Sequence, residues 1–279
     1  MKRSSRILWI TASIVMFAAS IALILYYLWG NGYLKKAKTA PEGPTYAEFT
    51  YPSIDAEDIA PLTSQTTTAQ ETGAPAEPTE PTEPQPEFEC PVNFDELRTA
   101  NPEIIGWLYM SEPEISLPIL RSYTDDTWYL YRDAVGKYSR SGSLFVEHEY
   151  NSFDFSDPVT VIYGHRMSSG AMFGTLQATL SEKGYFDEDR FIVIFTPEET
   201  LIYKIFATLP SDNDHILYYN DFNAEGVFNA YFNEVFNQSG VDVQLIPDAK
   251  PSEGDQVLVL SSCLWGDRSR RYLVFAKKI

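Results

Sequence analysis

Cysteine is scarce in this chain: two thiols, Cys90 and Cys263, among 279 residues. Two are too few for a disulfide-built scaffold, and they lack the paired spacing that a zinc site requires. Cys90 stands at a linker boundary and Cys263 at the end of an apolar run. Settings that different disfavour a bridge between them and leave Cys263 reduced. Histidine is nearly as rare, with His148, His165 and His215 making up the full set. Basic residues are also short, 21 against 39 acids. Six of the 21 (Lys2, Arg3, Arg6, Lys35, Lys36, Lys38) precede residue 39, where there is no acid, so fifteen bases face every acid in the remainder. A surface that acidic repels phosphate backbones and anionic headgroups. With no basic stripe interleaved with aromatics, nucleic-acid binding is excluded.

Charge is absent altogether from Ile7 to Trp29, a run long enough to cross the roughly 30 Å hydrocarbon layer as a helix. Bulky Tyr26, Tyr27 and Trp29 close it where a cleaved signal peptide would carry small residues, so an uncleaved anchor is expected. The lysines and arginines flanking it are balanced. The free amino terminus and the long acidic region that follows favour residues 1–6 inside and the carboxyl-terminal region outside the cell.

From Thr39 to Glu89 basic residues disappear, while Pro, Thr, Glu, Ala and Ser accumulate and end in EPTEPTEPQPE. Such a stretch buries too little apolar surface to offset chain entropy. With the juxtamembrane residues it reads as an extended stalk over 30–92. One globular domain then occupies 93–279. Asn93 is a plausible cap for a short helix through Phe94 and Leu97 that stops at Pro102. Short runs follow, among them IIGWLYM, SLPIL, GSLFVEHEY, PVTVIYGH, RFIVIFT, TLIYKIFATL, QVLVLSSC and RYLVFAKKI, separated by turn residues. That many short strands predict a mainly β barrel or sandwich. Phe222, Val227, Phe228, Tyr231, Phe232, Val235 and Phe236 recur at largely helical intervals before Gly240, predicting a helix between two late strands with an aromatic stripe for core packing.

Three segments carry chemistry. In VIYGHRMSSGAMFGTL a strand ends in Tyr163-Gly164-His165, and a loop leads to Met172-Phe173. In VLVLSSCLW, Cys263 closes a strand. In RRYLVFAKKI, Arg271 abuts the final apolar run, with Arg270 as the nearest substitute. These segments, with the leading and inserted helices, resemble the class B sortases over most of the chain after Asn93. The resemblance implies a closed eight-stranded β-barrel with an N-terminal helical extension and a helix between late strands. It also implies a cysteine transpeptidase with Cys263 as nucleophile, His165 as proton shuttle and Arg271 as oxyanion stabiliser, and a substrate-binding hydroxyl at Ser262. Neither metal nor organic cofactor is implied. A thiolate attacks a peptide carbonyl, imidazole protonates the leaving amine, and a permanently charged guanidinium steadies the oxyanion, so these residue types suit acyl transfer.

The implied reaction cuts a C-terminal sorting signal after Thr and joins a secreted protein to an amine of a peptidoglycan precursor or stem peptide. The enzyme would act on the extracellular face of a membrane spanned once by the N-terminal helix. The sequence departs from the family pattern at Arg166, often Asn, and at Val259, often Thr. Two other readings are open: a surface cysteine peptidase without transfer, and a stalked adhesin with no catalysis. His148, in a strand-like run, and His215, in a polar loop, are expected to be structural or solvated.

Overall fold

The computed structural model describes Ser20 and residues 50–54, 59–60 and 90–279. The chain divides into two compact units, Met1–Pro44 and Thr45–Ile279. Apart from Ser20, the expected anchor at 7–29 lies outside the described residues, as does most of the stalk. Among the described residues no helix is long and apolar enough to cross a membrane.

Helix α1 spans Phe94–Ala100 and begins as its sequence dictates. Asn93 Oδ1 accepts from the Glu96 amide at 3.2 Å, Asp95 and Glu96 occupy the first turn, and Arg98 the last. Its apolar face, Phe94, Leu97 and Ala100, is buried. Nine strands follow: β1 (Ile104–Ser111), β2 (Glu114–Leu120), β3 (Leu144–Phe145), β4 (Val159–Tyr163), β5 (Phe191–Phe195), β6 (Thr200–Ser211), β7 (Gln244–Leu245), β8 (Val257–Cys263) and β9 (Arg271–Lys278). Their order is β5-β1-β2-β3-β4-β8-β9-β6, and β5 pairs with β6, so eight strands close a ring; β7 adds to β6 outside it. The expected closed eight-stranded barrel is what forms. Closure leaves few unpaired edges and gives each strand an inner and an outer face.

Alternation along the strands assigns those faces. Ile162, Leu258, Leu260, Tyr272, Val274 and Ala276 join a cluster drawing residues from every barrel strand, which is the interior. Their neighbours Val159, Val161, Val257, Val259, Leu273 and Phe275 form an outer cluster with helix α4 (Val227–Phe236). The expected aromatic stripe packs here: Phe228 and Phe232 are buried, with Phe232 and Phe275 rings meeting edge to face at 6.1 Å. Two other short helices, α2 (Leu176–Leu180) and α3 (Ile216–Tyr219), lack a sequence signal of comparable length. GSLFVEHEY contributes only Leu144–Phe145 to a strand; Glu147 and His148 lie beyond it.

A third cluster covers the outer face of β1 and β5, where α1 packs. Ile54 and Ile59, both 7% exposed, join it, and the Tyr51 ring meets Trp107 at 5.5 Å. These residues depart from the expectation of an extended stalk over 30–92. Averaged composition hid a local apolar trio with a tryptophan-bearing face to cover.

Candidate active site

Register brings Cys263 and Arg271 together and sets His165 just past the end of the adjoining strand. β4 and β8 are parallel, with Tyr163 opposite Ser261, and the Gly164 amide continues the ladder to the Ser261 carbonyl at 3.1 Å. Two residues past that pair stand His165 and Cys263. On the other side of β8, Cys263 pairs directly with Arg271 of antiparallel β9. Positions 163, 261, 263, 271 and 273 share the outer parity, so thiol and guanidinium face one side at one end of the barrel, where the chain carrying His165 leaves β4. A slip of one residue in any of the three strands would turn its functional group inward.

Arg271 Nη1 donates to Cys263 Sγ at 3.3 Å. Its neighbours are otherwise engaged or remote from the thiol: Arg270 pairs with Asp212 at 3.4 Å, and Arg268 is exposed. His165 Nε2 lies 2.8 Å from the Leu130 carbonyl oxygen. That oxygen can only accept, so Nε2 carries a proton and Nδ1 is the ring nitrogen left to exchange one. The Tyr131 ring flanks the imidazole at 5.5 Å.

The Leu130 carbonyl is itself held from below. It belongs to a 3-10 turn, Trp128–Tyr131, whose Tyr129 is buried. The Tyr129 hydroxyl donates to Glu103 Oε2 at 2.5 Å and accepts from Asn101 Nδ2 at 3.0 Å. Asn101 also donates to the Ala134 carbonyl at 2.7 Å. Asn101 caps α1, so the leading helix reaches the imidazole through a buried polar network.

The Tyr-Gly-His and Met-Phe elements have steric reasons. A Cβ at Gly164 would stand 2.5 Å from the Phe173 ring and 2.6 Å from Leu144. Phe173 is fully buried in the barrel interior, and its amide donates to the His165 carbonyl at 3.0 Å. Met172 turns the chain into that plug with a φ of 55°.

Beside Arg271 opens a cavity of about 250 Å³, walled by Glu147, Tyr163, His215, Ser261, Arg271 and Leu273. Ser261 thus lines the cavity. Ser262, expected to bind substrate, is 3% exposed and shares the parity of the barrel interior, and its hydroxyl has no hydrogen-bond partner among the described residues. Strand alternation, rather than adjacency to Cys263, sets the direction of its side chain.

His215 is not a solvated loop residue. It caps α3, with Nδ1 accepting from the Tyr218 amide at 3.0 Å, and Nε2 donates to Glu147 at 2.9 Å. Burial pushes the Glu147 carboxyl up, against the pull of His215 and the Tyr163 hydroxyl. Burial also raises the Tyr163 hydroxyl, reinforced by the Glu147 charge. His148 is paired with Asp126 at 2.5 Å. Sequence reading missed the Glu147–His215 pair because its members lie 68 positions apart.

No family model matches the chain. Sortase B of Listeria monocytogenes is 31% identical over 173 residues, covering 60% of this chain and 65% of that protein, so the match spans just under two thirds of the relative's length. The solved structure of sortase B from Bacillus anthracis superposes with a TM-score of 0.58 at 27% identity, covering 67% of this chain and 83% of that one. A class B sortase of Streptococcus pyogenes involved in pilus biogenesis gives 0.56 at 27% identity, over 67% of this chain and 98% of that one. Sequence likeness, shared closed barrel and the strand ends that the motifs singled out agree in making this chain similar to the class B sortases.

Proposed function

We propose that the protein is a cysteine transpeptidase that cuts a C-terminal sorting signal after Thr and transfers the acyl group to a cell-wall amine. The observation that carries this reading is the Arg271–Cys263 contact at 3.3 Å, beside the strand end that bears His165. The thiolate of Cys263 attacks the Thr carbonyl carbon. Electrons move to the oxygen, where the Arg271 guanidinium meets the developing charge. The C–N bond breaks as His165 gives its proton to the departing amine, leaving a thioester on Cys263. An incoming amine attacks that thioester, its proton passes to His165, and the C–S bond breaks to regenerate the thiolate. The cavity walled by Tyr163, Ser261 and Arg271 is suited to hold the acyl side of the signal, since it opens beside the guanidinium.

The proposed partners are a secreted protein with a sorting signal and an amine of a peptidoglycan precursor or stem peptide. Proposed placement is the outer face of the membrane, with residues 7–29 as a single anchor. Incubating the Thr45–Ile279 unit with sorting-signal peptides and amines, followed by mass analysis, tests the reading. Ligated product that disappears in Cys263→Ala supports transfer. Hydrolysis unaffected by added amine would instead identify a peptidase, and unchanged function in Cys263→Ala a non-catalytic binding domain.

A further inference from the structure

Arg166 follows His165 directly, and its backbone is bridged to Met172, so the loop fixed by the Phe173 plug also fixes Arg166. Its guanidinium lies over the Trp265 ring, 5.6 Å from the centroid, within cation–π range. Trp265 is two residues past Cys263, and its amide donates to Gln177 Oε1 of α2 at 2.7 Å. The clasp therefore joins the loop after the histidine to the loop after the cysteine.

What the clasp lacks is a counter-charge. Arg166 is half-buried, its Nε is shielded from solvent without a hydrogen-bond partner, and it forms no ion pair among the described residues. Acids are abundant elsewhere in this chain, and Arg98, Arg190, Lys204, Arg270 and Lys277 each meet one. The acid nearest in sequence to Trp265, Asp267, instead accepts from the Ser269 amide and hydroxyl at 2.9 and 2.6 Å. An indole face holds a guanidinium in place without satisfying its N–H donors, and a planar fork of donors matches a carboxylate.

We propose that Arg166, held by Trp265, binds a carboxylate on a substrate group next to the reacting carbonyl. This rests on the acyl-transfer reading above. Two sources carry that chemistry: an acidic side chain just after the cut in the donor, and a carboxylate on the carbon bearing the acceptor amine. Each would lie beside the strand ends that carry His165 and Cys263.

The test compares wild type, Arg166→Gln and Arg166→Lys. One arm uses donor peptides with Glu or Gln after the scissile Thr, read as kcat/KM for acylation of Cys263. The other uses glycine or glycinamide as acceptor with one neutral donor, read as partition of the thioester to product. In one arm wild type should exceed Arg166→Gln in its carboxylate-to-amide ratio about tenfold, the scale of one charge-assisted pair. Arg166→Lys should fall between, because it keeps the charge and loses the fork. The arm that responds names the source. Acylation of wild type with identical ratios in all three proteins overturns this inference and leaves the transfer reading standing. No acylation of wild-type Cys263 by any donor overturns both. A thermal melt of each variant separates a lost ratio from a lost fold.

Discussion

Arg271 stands 3.3 Å from the nucleophile and carries a permanent charge, so the effect of changing it is calculable in scale. Arg271→Ala should lower kcat by about 10²–10³-fold, the range for loss of one oxyanion donor, while Arg271→Lys should recover part of it. Equal activity of all three in single-turnover assays would remove the residue from the mechanism. Glu147 makes a separate prediction about pH. Burial holds its carboxyl above the usual glutamate value, so the folded chain binds that proton more tightly than the unfolded chain. The resulting contribution to stability is complete below about pH 4.3 and is lost as pH rises through the higher folded value. Between about pH 6 and pH 4, wild type should therefore gain melting temperature relative to Glu147→Gln, a trend that paired melts would detect or reject.

At the scale of elements, two supports hold the histidine. The first is the Phe173 plug, fully buried and tied to the His165 carbonyl. Phe173→Ala should cost about 3–5 kcal/mol of stability, read by denaturant unfolding. Gly164→Ala should cost about 1–3 kcal/mol through overpacking against the same ring, with a fall in kcat beyond that expected from the folded fraction. The second support is the Asn101–Tyr129–Glu103 network under the Leu130 carbonyl. Removing a buried partner leaves polar atoms unsatisfied, so Asn101→Ala should destabilise by about 1–3 kcal/mol and lower kcat more than KM changes. A variant that lost stability and kept kcat would show that the carbonyl holds its place without the network.

For the whole Thr45–Ile279 unit, the barrel is covered on one outer face by α4 and on another by α1 with Tyr51, Ile54 and Ile59. Full burial of an aliphatic side chain contributes about 1.5–3 kcal/mol, so starting the chain at Cys90 should lower the melting temperature relative to starting at Thr45. Equal melting temperatures would mean that this segment does not cover Trp107 in solution. Much of the architecture was legible along the chain. Strand alternation in QVLVLSSC and RYLVFAKKI, the Asn93 cap and the aromatic stripe of α4 are local patterns whose neighbours supply the signal. The stalk reading failed at 50–54 and 59–60 because a polar average masks a few apolar side chains with a distant surface to cover.

Local sequence determined that a thiol would close one strand, that an imidazole would follow Tyr-Gly at the end of another, and that arginines would precede a third. Sterics and hydrogen bonding between near neighbours suffice for that. Tertiary structure alone decided that Ser261 rather than Ser262 lines the cavity and that His215 pairs with Glu147. Those outcomes depend on the register of three strands and on the barrel's closure through β5 and β6, which are set by packing between residues far apart in the chain.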